Sequence, residues 1–207
     1  FTHPASWTVP TTTDSKEYKI EAWVSKINSN NDGNTDNDKN SATTTALSNL
    51  VPRKSLYEVF TSSTCPPCKP GNEQLSSVIN PLVGKWTAVK YQYNFPGNGD
   101  PYYTSECAAR GSFYGGINSV PRLLVDGGWN GNPNSYTTAI FNQFYEAPCF
   151  VTINGNANID PQKQSVKITG SIVSELDINT PTRAYIAIVE KVTTKNKTSN
   201  GETEFYY

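Results

Sequence analysis

Apolar and polar residues alternate near the start of the chain. Tyr18, Ile20, Ala22 and Val24 interleave with Lys19, Glu21, Trp23 and Ser25, which is the period of a half-buried strand. A polar loop, Asn28 to Asn40, follows, and Ser41–Ala46 is rich in β-favouring threonine. After a short linker, Val51-Pro52-Arg53-Lys54, the apolar run Leu56–Phe60 predicts a buried strand. The period then changes: Leu75, Val78, Ile79 and Leu82 recur at helical spacing and predict a helix from about Pro66 to Val83. Pro66 and Pro67 fit its first turn, where backbone N–H groups lack partners, whereas Pro70 is expected to bend or loosen the helix. Ala88–Phe95 alternates again, with Val89, Tyr91, Tyr93 and Phe95 on one face. A loop from Pro96 to Pro101, a short helix over Tyr103–Tyr114, a strand over Ser119–Val125 and a turn at Asp126-Gly127-Gly128 complete this stretch. Asn134 or Ser135 can cap a last helix in which Tyr136, Ala139, Ile140 and Phe144 share a face.

Residues 54–147 therefore read strand, helix, strand, helix, strand, turn, helix, an α/β layer whose first two strands and helix form a right-handed crossover. From Pro148 the pattern returns to β. Val151, Ile153, Gly155, Ala157 and Ile159 alternate, as do Val166, Ile168 and Ile172. Arg183–Val192 is apolar on both faces, as expected of a central strand, and Glu202–Tyr207 starts a further one. The division that follows is 1–50 as the last strands of a β-domain, 51–148 as an α/β domain and 149–207 as an incomplete β-sandwich. Whether the two β-segments form one domain or two is open at this stage.

Composition narrows the class of partner. Net charge is -1, 17% of the residues are charged, and Lys and Arg form no block. Nucleic acid and anionic membrane surfaces both call for a concentrated positive field, so neither is expected as a partner. No apolar run approaches the ~20 residues of a membrane span. The chain starts at Phe1 and contains no methionine, and we read it as a piece of a longer protein. Its polar, Asn-rich composition and four cysteines suit an extracytoplasmic compartment where disulfides persist. In the loop after the first strand, Asn30, Asp32 and Gly33 partly match a calcium-binding pattern. Asn28 replaces its first Asp and Lys39 stands where a bidentate Glu is needed, so a solvated hairpin loop is preferred.

The candidate chemistry lies at Cys65-Pro66-Pro67-Cys68, where a strand ends and a helix begins. A Cys-x-x-Cys pair in a βαβ pattern reads as a redox site. A second signal is Val120-Pro121, which precedes a strand and lies 53 residues after Cys68. On these two motifs the middle of the chain, about 95 residues, resembles the thioredoxin superfamily. The run Ser119–Gly127 looks like periplasmic oxidoreductases of the Dsb type. Together with β-modules on either side, it resembles outer-membrane and lipoprotein thioredoxin-like proteins of Bacteroidetes. The polar loop and the Thr-rich strand after it are similar to bacterial immunoglobulin-like adhesion modules. Thr64 stands where the family usually has an aromatic residue, and the intervening dipeptide is Pro-Pro rather than Gly-Pro.

The resemblance implies an α/β thioredoxin-like domain flanked by all-β, immunoglobulin-like sandwich segments, held at the periplasm, outer membrane or cell surface by a lipid or surface anchor outside this sequence. It implies thiol–disulfide exchange with protein thiols or disulfides and no cofactor. Cys65 would attack and Cys68 would resolve. Val120 and a cis Pro121 would present backbone to an extended substrate. Glu58, seven residues before Cys65 where the family carries a buried acid at one fewer, would relay the Cys68 proton. The bland rivals are a structural disulfide on a binding or adhesion scaffold and, for Glu58, an exposed strand residue. Cys107 and Cys149 either pair as a clamp between domains or stay free. A zinc site would need two more ligands near the pair. Cys107 and Cys149 are isolated and His3 is remote, so no metal is expected.

Overall fold

A computed structural model of the chain describes residues 16–23, 39–46, 50–194 and 205–206. His3 and most of the candidate calcium loop, 28–38, fall outside the described residues. The chain divides into two units, Phe1–Pro52 with Pro148–Thr182, and Arg53–Ala147 with Arg183–Tyr207. The last stretch, assigned from sequence to the same segment as 149–182, thus groups with the α/β part.

In the first unit, β1 (Lys16–Trp23) and β2 (Lys39–Ala46) pair antiparallel, with Ile20 opposite Ala42. The second unit begins with β3 (Ser55–Thr61), α1 (Cys68–Ile79) and β4 (Trp86–Gln92), a βαβ crossover in which β3 and β4 run parallel. Pro67 is the N-cap of α1, so Pro70 falls in the first turn, where its missing N–H leaves no bond unmade. That is why α1 runs on unbroken where a loosened turn was expected. After α2 (Ser105–Phe113), β5 (Arg122–Val125) pairs antiparallel with β3, and β6 (Trp129–Gly131) pairs with β5. The strand order is β4-β3-β5-β6. The three-residue β6 is too short to carry a period, and only the turn at 126–128 was legible. Asp126 closes that turn at φ 49°, accepts from the Leu56 N–H at 2.7 Å and is paired with Arg53 at 2.9 Å.

α3 (Thr138–Tyr145) is capped by Thr137, whose Oγ1 accepts from Ile140 N at 3.3 Å. Asn134 and Ser135, the residues expected to cap it, lie instead in a short 3-10 turn, and Tyr136 is buried ahead of the helix. The sheet is covered on both faces. Tyr57, Val59, Leu123 and Val125 pack with Leu75, Ile79 and Phe141 of α1 and α3. Phe60 and Leu124, one residue out of step, pack with Tyr93, Cys107 and Ile117 on the α2 side. Each such buried side chain contributes about 1.5–3 kcal/mol.

In the first unit β7 (Val151–Asp160) and β8 (Ser165–Ser174) form a hairpin with Ile153 opposite Ile172 and Ile159 opposite Val166. Its apolar face is exposed, with Ile153, Ile159 and Ile172 all more than half accessible. In the second unit, Arg183–Val192 is not the central strand its composition predicts, since Arg183–Glu190 carries no regular secondary structure. Among the described residues, regular pairing there is limited to β9 (Val192–Thr193) with β10 (Phe205–Tyr206). Hydrophobicity on both sides of a segment signals a strand but does not supply its neighbour.

Candidate functional site

Cys65 lies in the turn between β3 and α1, and Cys68 is the first residue of the helix. Two turn bonds fix them: Cys65 N donates to Ser62 O at 3.1 Å and Cys68 N to Cys65 O at 3.0 Å. The cysteines are joined as a disulfide with their Cα atoms 5.3 Å apart. α1 has no side-chain cap at its N-terminus. The orphan N–H groups and the helix dipole there favour a thiolate once the pair is reduced.

Val120–Pro121 is a cis peptide bond, and Val120 O lies 3.5 Å from Cys65 Sγ. A reduced Cys65 thiol could donate across that distance. The strand–helix junction and the loop before β5 thus bring together Cys65, Cys68, Val120 and Pro121, residues far apart in sequence. Pro66 and Pro67 are exposed beside the pair, but Cys65 is only 1% accessible and Cys68 is fully buried.

Glu58 does not join this group. Side chains alternate along a strand, so Tyr57 and Val59 face α1 while Glu58 and Phe60 face α2. The acid that was expected to relay the Cys68 proton sits on the opposite side of the sheet. The cause is parity: Glu58 precedes Cys65 by seven residues, and a shift of one residue moves a strand side chain to the other face. There Glu58 is buried, and Arg110 donates to it twice, from Nε at 2.6 Å and Nη2 at 2.9 Å. Tyr91 Oη donates at 3.1 Å, and Tyr114 Oη donates to the second carboxylate oxygen. Burial alone would raise the Glu58 pKa, but the bonds from Arg110, Tyr114 and Tyr91 outweigh it and hold the carboxyl below its ordinary value. Burial, together with the bond to Glu58, pushes Tyr114 up to about 12. A groove of about 760 Å³ opens on this side between β4, α2 and Tyr185–Glu190, and neither Cys65 nor Cys68 lines it.

Cys107 and Cys149 are free, so of the two alternatives, an inter-domain clamp or unpaired thiols, the structure shows the second. They belong to different units. Cys107 is buried on the α2 face with Thr104 Oγ1 at 3.6 Å, and Cys149 Sγ lies 3.5 Å from Val151 O. Among the described residues, no three of the His, Cys, Asp and Glu side chains are grouped to hold a metal ion.

Two residues near the pair escaped sequence reasoning. Asp100, 5% accessible, accepts from the Ser63 N–H at 2.7 Å and from the Tyr102 N–H at 2.9 Å, and so ties the 96–101 loop to the residues before Cys65. Thr64 Oγ1 adds a bond to Pro96 O at 2.7 Å. The loop itself was legible, but nothing in its composition singled out a buried acid. Gly71 is the other: a Cβ there would lie 2.9 Å from Pro133 Cγ and 3.1 Å from Pro121 Cγ, so only glycine lets α1 approach the Pro121 loop this closely.

Compared with known proteins, the chain matches no family model and no curated protein. One solved structure, the crystal structure of a structural-genomics target from Agrobacterium tumefaciens, is similar at 20% identity with a TM-score of 0.41. The match covers 51% of this chain and 52% of that one, so it spans about half the length of each. Among the described residues no helix is long and apolar enough to cross a membrane.

Proposed function

We propose that this chain exchanges thiols and disulfides with protein substrates outside the cytoplasm, with Cys65 and Cys68 as its redox pair. The observation that carries this reading is the disulfide at the β3–α1 junction, with Val120 O 3.5 Å from Cys65 Sγ. A βαβ crossover followed by an antiparallel hairpin, with helices on both faces, supports a thioredoxin-like architecture. The antiparallel pairs β1–β2 and β7–β8, before and after it in sequence, support flanking β-segments of the immunoglobulin-like kind. The placement at a periplasmic, outer-membrane or cell surface rests on composition and resemblance.

In the oxidising direction, a substrate thiolate attacks Cys65 Sγ. The new S–S bond forms as the Cys65–Cys68 bond breaks, and Cys68 leaves as a thiolate that takes a proton from solvent. A second substrate thiolate attacks the substrate sulfur of the mixed disulfide and releases Cys65. The protein gains two electrons and the substrate loses two. The reverse sequence reduces a substrate disulfide, and the potential difference sets the direction. Glu58 has no part in these steps, and no cofactor or metal is required.

One observation favours a second reading. Reactive cysteines are ordinarily partly exposed, whereas Cys65 is 1% accessible. On that reading the disulfide is a permanent staple and the α/β unit is a binding or adhesion scaffold. Insulin-disulfide reduction with dithiothreitol separates the two. Exchange predicts activity in the native chain, loss with Cys65→Ser, and trapped mixed disulfides with Cys68→Ser. A native chain that exchanges with no thiol or disulfide probe leaves only the staple.

A further inference from the structure

Ala184–Val189 consists of Ala, Tyr, Ile, Ala, Ile and Val, the composition of a central strand, yet it lies on the surface. Tyr185, Ile186, Ile188 and Val189 are 61%, 68%, 77% and 48% accessible. The chain passes from Pro181 to Glu190 without helix, turn or bend, and Arg183–Glu190 makes no backbone–backbone hydrogen bond among the described residues. The segment is nonetheless held. Tyr185 lies against the Arg110 guanidinium at 5.2 Å and edge-on to Phe113 at 6.0 Å, and further along Thr194 N donates to Tyr102 Oη at 3.4 Å. A straight, anchored, unpaired β-former is the kind of edge that recruits another strand, and its anchoring lowers the ordering entropy of doing so.

We propose that Arg183–Glu190 is a self-association edge that pairs antiparallel with the same segment of a second copy. Charge selects the occupant and the register. A two-fold axis between Ile186 and Ala187 sets Arg183 of each copy opposite Glu190 of the other, Ala184 opposite Val189 and Tyr185 opposite Ile188. The cation and the acid thus meet at both ends of an apolar ladder. A two-fold axis through Ala187 would instead set Arg183 opposite Lys191 at both ends, so like charges disfavour that register. An eight-residue ladder is a small interface, and the dimer belongs to the weak, transient class.

Sedimentation velocity on the full chain, over a concentration series reaching about 1 mM, tests this. The native chain gives a monomer–dimer equilibrium. Arg183→Glu and Glu190→Arg each weaken it about tenfold or more, because every substitution appears twice in the ladder and turns two attractive pairs into two repulsive ones. An equimolar mixture of the two variants regains the dimer as a heterodimer, and so does the doubly swapped chain. Both positions are exposed, so unchanged thermal melts confirm that each variant folds. A chain that stays monomeric throughout overturns the proposal. So does an association indifferent to the charge changes or not restored by mixing, which would assign the edge to another occupant or the dimer to another surface.

Discussion

The two faces of the β3 sheet hold chemistry of opposite kinds. On the α1 face, Cys65 and Cys68 sit among turn bonds and prolines, with the Val120 carbonyl in reach and no titratable side chain bonded to either sulfur among the described residues. On the α2 face a carboxylate is fully engaged by Arg110, Tyr91 and Tyr114 and has no sulfur among its bonded partners. One strand, β3, serves both faces, and the parity of a single residue decides which chemistry Glu58 joins. The α2 face is accordingly a stabilising cluster, and the α1 face is where reactivity is to be sought.

The largest effect should come from breaking the α2 face alone. Glu58→Leu leaves the Arg110 guanidinium without its carboxylate, and such half-removed buried pairs cost about 3–5 kcal/mol. Urea unfolding should show this loss, whereas the rate at which dithiothreitol reduces Cys65–Cys68 in the folded variant should stay within about twofold of native. A large change in that rate would mean that the faces are coupled and that Glu58 does reach the cysteines.

Gly71→Ala acts on the other face. Its Cβ must push Pro133 or Pro121 away, which costs about 1–3 kcal/mol by overpacking. Because Pro121 adjoins the carbonyl beside Cys65, the reduction rate should change as well. Asp100→Ala removes the carboxylate that accepts from the buried Ser63 N–H, at about 1–3 kcal/mol, and loosens the turn before Cys65. Here reduction should be faster than in the native chain, as measured by alkylation of freed thiols. An unchanged rate would show that the 96–101 loop does not control access.

The smallest effect is the pH dependence of stability. The Glu58 carboxyl lies below its unfolded value, so its contribution is fully present above the unfolded pKa, near 4.3, and is lost as pH falls through the lower folded value. Native stability should therefore fall as the solution is acidified below about pH 4. Glu58→Gln should flatten that part of the profile, and an identical slope in the variant would assign the acid sensitivity to other carboxylates.

Much of this arrangement was legible in the sequence. The apolar run Leu56–Phe60 and the helical spacing of Leu75 and Ile79 appear in the elements expected. β4, by contrast, ends at Gln92, so Tyr93 and Phe95 lie beyond the strand expected over Ala88–Phe95 but still share one cluster with Tyr91. Val120-Pro121, singled out together with the cysteines by the resemblance, lies beside them in space, with Val120 O 3.5 Å from Cys65 Sγ. Glu58 was misread because its identity was weighed above its parity, although the odd spacing already pointed to the far face. Arg110, which decides the state of Glu58, could not be paired with it in advance, because the contact spans 52 positions and depends on how α2 crosses the sheet. Asp100 and Gly71 gain their roles only from what lies next to them in space.

The central claim is that Cys65 and Cys68 form an exchanging pair rather than a staple, and the reduction potential of that pair tests it most directly. The full chain would be equilibrated in graded thiol buffers, and reduced Cys65 and Cys68 counted by alkylation and mass. An exchanging pair should be half reduced between about −270 and −120 mV, the span of known thiol–disulfide oxidoreductases. A pair still oxidised below about −300 mV would behave as a structural disulfide and contradict the account.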